Sequence, residues 1–315
     1  MFINRIFHYL PENRLDNAYF AQKTGMSEAD IFKKSGIKTR LRAGVLENTN
    51  NMSLKAVAAG NGQYPFELQT IDLIIGATYT AFDNIATIAH EVQRKFNIAG
   101  ARALMVSSAC SSYVNAMEII QGYYATGKTD HSLVLAVENN SRFSCDSNPQ
   151  AGHLWGDAAT ATFISREKVG KKSLRVIDVI SEGMGQMGVG PNGVFLRPVD
   201  GGLQMPEGRD VFVKAIEIMT RYINDIVERN GFQMSDVQYV VPHQANARII
   251  NQISKNLAFP VSNVLMNIEK YGNTGCASTP LVLSENWDCF QFGDLIALAV
   301  FGGGYSAGAM LLRVV

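Results

Sequence analysis

At 315 residues with 47% apolar side chains, the chain can bury a substantial core and reads as a globular α/β protein. Lysine plus arginine equals aspartate plus glutamate at 28 each, so no net field steers it toward nucleic acid or an anionic membrane. The four cysteines, Cys110, Cys145, Cys276 and Cys289, stand far apart with no C-x-x-C pair, which argues against a zinc site or a disulfide framework and for free thiols.

The opening run, MFINRIFHYLPENR, is broken by Arg5 and His8 and shows no small-residue cleavage site. It supports neither a signal peptide nor a spanning helix, and a cytoplasmic protein is expected. Strand-like and amphipathic stretches then alternate: IDLIIGAT (71–78), NIATIAHEVQRKF (84–96), ALMV (103–106), YVNAMEIIQGYYATG (113–127) and HSLVLAVE (131–138). Residues 139–236 hold a loop-rich stretch, the strand-like AATATFIS and SLRVIDVIS, a glycine-rich segment, and a long amphipathic helix, DVFVKAIEIMTRYINDIVERNG. The earlier order then returns as VQYVVPHQ (237–244), ARIINQISKNL (247–257), SNVLMNI (262–268), TPLVLSENWDCF (279–290) and DLIALAVFGGG (294–304). Such alternation predicts a sheet covered on both faces.

Paired landmarks keep a nearly constant offset: Ala247 follows Ala86 by 161 residues, Leu265 follows Leu104 by 161, and Leu298 follows Leu135 by 163. This period is too long for a solenoid. It predicts two similar α/β halves, 1–165 and 166–315, forming one compact unit, since no Pro/Ser-rich or low-complexity linker separates them.

Ligand sites in open α/β sheets gather at the carboxyl ends of strands, and four candidate residues fall there. Cys110, in SSACSSY, passes from a strand into a helix, where exposed N–H groups and the positive dipole end are expected to lower a thiol's pKa and ready it as a nucleophile. His243, in VVPHQAN, sits between a strand and a helix and can donate or accept a proton at a pocket floor. Asn273, in EKYGNTGCAS, lies between glycines that permit a tight turn, and FGGGYSAG offers backbone N–H groups for an oxyanion hole. Each signal has an ordinary structural reading when taken singly. A cysteine, a histidine, an asparagine and a glycine turn at strand ends of a duplicated sheet form a far more specific set.

Together with YLPENRLDN (9–17), SGIKTR (35–40), WGDAAT (155–160) and VPHQANARII (241–250), that set resembles β-ketoacyl-acyl-carrier-protein synthase III, a ketosynthase of the thiolase superfamily, over essentially the whole chain. The resemblance implies a thiolase-like fold in α-β-α-β-α layers and a decarboxylative Claisen condensation. Cys110 would accept the acyl group, while His243 and Asn273 would hold the extender, a malonyl- or β-ketoacyl-type carrier-protein thioester. Backbone N–H groups of Cys110 and Gly303 would bind the oxyanion, with no metal or other cofactor. The resemblance further implies an acyl tunnel involving Phe82, His153 and Trp155, docking of an acyl carrier protein at Arg248, and a homodimer in which Phe82 closes the partner's tunnel. A degradative thiolase is set aside because FGGGYSAG lacks a second cysteine, and Cys276 and Cys289 read as structural.

Two positions depart from the family. Asp30 stands where initiating members have a tryptophan stacked on the coenzyme A adenine, and Pro149 or Gln150 where they have an arginine. An acyl donor delivered on a carrier protein, and a role in specialised lipid or polyketide metabolism, are therefore expected. The alternatives are acetyl-coenzyme A-primed fatty-acid initiation, acyl transfer to an oxygen or nitrogen acceptor, and a silent subunit of a heterodimer.

Overall fold

The computed structural model describes all 315 residues. In the first half the chain forms β1 (Phe2–Tyr9), β2 (Asn13–Asp16), α1 (Asn17–Thr24), α2 (Glu28–Ser35), β3 (Thr39–Arg42), α3 (Thr49–Ala58), β4 (Leu73–Ala77), α4 (Ile88–Lys95), β5 (Arg102–Val106), α5 (Ser112–Ala125), β6 (His131–Asn139) and β7 (Asp157–Ser165). It continues through β8 (Leu174–Gly183), the hairpin β9 (Phe195–Arg197) and β10 (Gly202–Gln204), and α6 (Gly208–Glu228). The remaining elements are β11 (Tyr239–Pro242), α7 (Ala247–Asn256), α8 (Ile268–Tyr271), α9 (Ser278–Glu285), β12 (Leu295–Gly302) and β13 (Ser306–Val314). No helix is long and apolar enough to cross a membrane.

Nine strands pair in the order β11-β12-β13-β8-β1-β7-β6-β4-β5. The duplication is visible in that order. Read inward from one edge, β5, β4, β6, β7 and β1 pair parallel, parallel, antiparallel, antiparallel. From the other edge, β11, β12, β13 and β8 follow the same scheme. The two half-sheets pair where Phe2 and Ile3 of β1 face Arg175 and Leu174 of β8. One expected strand is missing: SNVLMNI contributes a single parallel bridge, Val240 to Val264, where the first half has β5. A 3-10 turn at Val261–Asn263 precedes it and α8 begins at Ile268, leaving too few extended residues for a ladder.

Three apolar layers hold these elements. The central one surrounds α5 (Tyr113, Val114, Met117, Ile120) and α9 (Leu281, Val282, Leu283), with strand residues of both halves closing on them. Strand residues alternate between faces, so the opposite faces of the two half-sheets carry the outer layers, under α3 and α4 on one side and α6 and α7 on the other. The result is five layers, α-β-α-β-α. Full burial of each of these leucine, isoleucine or valine side chains is worth about 1.5–3 kcal/mol. Because α5 and α9 are shared by both half-sheets, their amino-terminal ends and the ends of β5, β11 and β12 converge on one region.

Candidate active site

Cys110 lies on the turn from β5 into α5, and the turn is made possible by small residues. Ala109 adopts φ +51, a left-handed conformation that costs a non-glycine residue about 1–2 kcal/mol. Serines offset this strain by satisfying the turn's backbone. Ser112 Oγ accepts from the Ser108 N–H at 2.8 Å and donates to the Ala109 carbonyl at 2.6 Å. Ser111 Oγ donates to the Ser108 carbonyl at 2.7 Å and lies 2.7 Å from Ser306 Oγ on β13. Behind the cysteine, β12 approaches so closely that a Cβ on Gly302 would stand 2.7 Å from Cys110 N and 2.9 Å from its Cβ. The backbone N–H groups of Gly303 and of Cys110 itself favour the ionised form of the sulfur. They are the two expected for an oxyanion hole.

The thiol's acidity runs opposite to the expectation from the helix terminus. Burial, and secondly the carboxylate of Glu138, push Cys110 up to about 12, against the opposing donors of Gly303, Tyr79 and Cys110. Desolvation outweighs the partial charge at the helix end.

His243 follows β11, its N–H bonded to the Ala299 carbonyl at 2.8 Å. Its Nδ1 lies 2.7 Å from Ser278 Oγ, at the start of α9. That oxygen accepts from the Gln244 N–H at 3.4 Å, so its hydroxyl proton is free to be donated to Nδ1. The ring proton then sits on Nε2, the nitrogen with no protein partner. Burial alone lowers the His243 pKa to about 4, so the imidazole is neutral near pH 7.

Asn273 is held on all sides but one. Its N–H donates to the Leu154 carbonyl at 2.8 Å, its carbonyl accepts from the Gly156 N–H at 2.9 Å, and Oδ1 accepts from the Gly275 N–H at 2.9 Å. Only Nδ2 is left without a protein partner. The amide is therefore oriented by the chain and not by substrate. Gly272 and Gly275, with φ of +70 and +57, allow the turn that does this.

Cys110, His243 and Asn273 line one narrow cavity of about 90 Å³, together with Trp155, Phe212, Gly302 and Gly303. From this neck two spaces open. On one side of Cys110 lies a cleft of about 530 Å³ walled by Tyr79, Trp155, Val194, Leu196, Leu203 and Tyr305. Sharing Leu154, Met205, Phe212 and Asn246 with the neck lies a surface vestibule of about 690 Å³ that includes Lys34, Pro149, Gln150, His153, Arg209 and Arg248. Three cations stand around that mouth, with the Arg248 guanidinium 5.5 Å from the Phe212 ring.

The remaining expected residues separate. Trp155 walls both the cleft and the neck. His153 does not line the cleft; it borders the vestibule. The reason is local: residues 151–154 form turns, and the His153 carbonyl is held 2.5 Å from Arg40 Nε, which sets the buried ring beside the vestibule. Burial and the nearby Arg40 and Lys34 charges lower its pKa to about 4. Phe82 walls neither space in its own chain; it is half exposed, with the Arg142 guanidinium 5.5 Å from its ring. Asp30 does not reach the vestibule. It closes the first turn of α2, its N–H donating to Ser27 Oγ at 3.1 Å and its carboxylate accepting from the same hydroxyl at 2.7 Å.

Sequence reading passed over a buried acidic cluster beside Cys110. Glu138, fully buried on β6, accepts from Cys276 Sγ at 2.9 Å, Thr78 Oγ1 at 3.2 Å, the Tyr79 N–H at 3.3 Å and Thr80 Oγ1. Burial raises its pKa to about 8 despite these donors. The only signal was a lone carboxylate ending the apolar run LVLAVE.

Two family profiles match the chain: 3-oxoacyl-[acyl-carrier-protein] synthase III over residues 105–183, and the carboxyl-terminal domain of the same enzyme over 227–314. The β-ketoacyl-[acyl-carrier-protein] synthase III of Aquifex aeolicus is 31% identical over 97% of this chain and 96% of its own. That of Staphylococcus saprophyticus is 30% identical over the same shares. The solved Aquifex aeolicus 3-oxoacyl-[acyl-carrier-protein] synthase III superposes with a TM-score of 0.92 at 30% identity, covering 99% of both chains. At 23% identity, a priming β-ketosynthase of a polyketide pathway shares the fold with a TM-score of 0.89.

Proposed function

We propose that this chain, which belongs to the β-ketoacyl-acyl-carrier-protein synthase III family and is thus a condensing acyltransferase, joins an acyl group carried on Cys110 to a malonyl-type carrier-protein thioester. The observation carrying this reading is the common neck of Cys110, His243 and Asn273, with the cleft opening at the sulfur and the vestibule adjoining the neck. In the first step the Cys110 sulfur attacks the donor thioester carbonyl, the new S–C bond forms, and the donor's thiolate leaves with the cysteine proton. The tetrahedral oxyanion is met by the N–H groups of Cys110 and Gly303. In the second step the extender's carbon–carbon bond breaks, carbon dioxide departs, and negative charge gathers on the thioester oxygen. His243 Nε2–H and Asn273 Nδ2–H receive that oxygen, each such donor being worth about 3 kcal/mol in a dry site. The enolate carbon then attacks the acyl-enzyme carbonyl and Cys110 leaves as the thiolate. Acyl transfer to an oxygen or nitrogen acceptor would need no enolate site, so the two oriented donors weigh against it. Acyl thioesters are the only substrates the scheme requires.

The donor is proposed to arrive on a carrier protein. The positions that by resemblance would hold the adenine-stacking tryptophan and arginine carry Asp30, whose carboxylate accepts from Ser27 at the start of α2, and Pro149 or Gln150, which border the vestibule. Such a contact is worth roughly 1–2 kcal/mol. Lys34, Arg209 and Arg248 around the mouth suit an acidic carrier. The relatives' names favour the first condensation of fatty-acid synthesis; the missing clamp favours a specialised pathway as the second reading. We further propose a homodimer in which exposed Phe82 meets the partner's acyl cleft, and a division of the chain into halves at 165/166. Intact-protein mass spectrometry decides the central reading: an acyl adduct on Cys110 that is lost only on adding malonyl-carrier supports it, and absence of an adduct with every donor refutes it. Faster loading from acyl-coenzyme A than from acyl-carrier protein would overturn the donor assignment.

A further inference from the structure

His243 and Asn273 reach the neck from the two ends of a detour, in which residues 244–272 run through α7, the bridge at Val264 and α8 before the chain returns to the site. In the first half a five-residue ladder of β5 on β4 braces the corresponding stretch. Here the bridge of Val264 to Val240 stands alone, closed by the Leu265 N–H to the Val240 carbonyl at 2.9 Å. One side chain takes the ladder's place, that of Gln244. Its Oε1 accepts from the Asn267 N–H at 3.0 Å and the Ile268 N–H at 3.2 Å, while Nε2 donates to the Pro242 carbonyl at 2.7 Å and the Leu265 carbonyl at 3.4 Å. Only one orientation of the amide fits, with oxygen toward the two N–H groups and nitrogen toward the two carbonyls. The Gln244 N–H also reaches, at 3.4 Å, the Ser278 hydroxyl that holds His243 Nδ1.

The consequence is a fixed separation. Asn267 and Ile268 begin α8, whose first N–H groups have no partner within the helix, and this single turn leads through Gly272 to Asn273. A carboxamide that grips the end of β11 on one side and the start of α8 on the other ties the strand end carrying His243 to the turn carrying Asn273. Gln244 is fully buried and lines neither the cleft, the neck nor the vestibule, so it meets no substrate. We infer that Gln244 is a positioning residue for carbon–carbon bond formation, fixing the spacing at which the His243 and Asn273 donors receive one thioester oxygen. This inference rests on those two residues serving the enolate. Loading of Cys110 uses donors on other turns and does not depend on it.

The test compares the two half-reactions in variants of the full chain. Gln244→Met keeps the length of the side chain, removes both ends of the strut and leaves the Asn267 and Ile268 N–H groups unpaired. Carbon dioxide release from malonyl-carrier protein is expected to fall about 30-fold in kcat, since misplacing a reacting group by about 1 Å costs on the order of 100-fold. KM and acylation of Cys110, the latter read by intact mass, should stay within about threefold of wild type. Gln244→Glu keeps the acceptor but sets a second oxygen against the Pro242 carbonyl, and that oxygen donates only when protonated. Burial raises a carboxyl pKa, so the decarboxylation rate of Gln244→Glu relative to wild type is expected to climb as pH is lowered from about 8.5 to about 6. A general loss of packing would not be rescued in this way. Decarboxylation by Gln244→Met within about threefold of wild type overturns the inference, and so does a loss shared equally by loading. Gln244→Glu decides the matter alone should Gln244→Met fail to fold, a flat relative rate across that pH range overturning it. A wild-type protein that loads acyl groups yet releases no carbon dioxide would instead overturn the enolate reading of His243 and Asn273, and this inference with it.

Discussion

Replacing Asn273 by aspartate asks whether the enolate site is built from an oriented amide. Asn273 Oδ1 accepts the Gly275 N–H at 2.9 Å, so an aspartate keeps one oxygen there and sets the other where Nδ2 stood. The exchange is nearly isosteric, and the backbone bonds to Leu154 and Gly156 are untouched. What changes is the sign of the group facing the substrate oxygen. Losing one preorganised donor costs about 3 kcal/mol, or roughly 100-fold in rate, and a carboxylate facing a developing negative charge adds repulsion. Carbon dioxide release from malonyl-carrier is therefore expected to fall by about 100- to 1,000-fold. Cys110 lies on the opposite wall with its own oxyanion donors, so acylation measured by intact mass should stay within about threefold of wild type. Decarboxylation at more than a tenth of the wild-type rate, with normal loading, would refute the assignment of Asn273 as an enolate donor; equal loss of both steps would show instead that the neck had collapsed.

Other consequences follow from the same geometry. Gly302→Ala should abolish acylation while the protein still folds, because the new Cβ meets Cys110 N at 2.7 Å and displaces the nucleophile's turn; adduct formation above a tenth of wild type argues otherwise. Stability should depend on pH in two senses. His243 and His153, lowered to about 4, contribute stability that is full above about 6.5 and is lost as pH falls toward 4. Glu138, raised to about 8, contributes stability that is full below about 4.5 and is lost as pH rises toward 8. Between pH 6.5 and 8 only the glutamate's contribution slopes among these three, by about 2 kcal/mol at most. Urea unfolding of wild type should weaken across that window, and that of Glu138→Gln should not; identical slopes would count against a protonated Glu138. Arg248→Glu should raise KM for the carrier-protein substrate about tenfold with kcat within twofold, and an unchanged KM would remove Arg248 from the docking face.

Much of this arrangement was legible from strand ends. Cys110, His243 and Gly303 each follow an apolar strand, and a duplicated sheet has to bring such ends together; Asn273, expected at a strand end, instead follows α8, and all four line one neck. The sign of the Cys110 shift was not legible, because the helix terminus is local in sequence while the burial that outweighs it comes from β12 and Tyr79, far along the chain. His153 was misplaced for a similar reason: the resemblance implied a tunnel residue, but the turn at 151–154 and the bond from distant Arg40 to its carbonyl set the buried ring beside the vestibule. The strand β1 was hidden because Arg5 and His8 interrupt its apolar pattern, although Ile3 and Ile6 lie in the central layer. Glu138 was missed because its partners Thr78, Thr80 and Cys276 come from two distant segments.

The cleft reaches Cys110 directly, whereas the vestibule adjoins the neck in which Cys110 sits. A chain parked on the sulfur and extending into the cleft leaves the cationic doorway vacant, so one carrier can depart and a second can enter before anything is released. Such a layout imposes ping-pong kinetics: double-reciprocal plots at several fixed extender concentrations should run parallel, and the burst of freed donor thiol should equal the number of active cysteines.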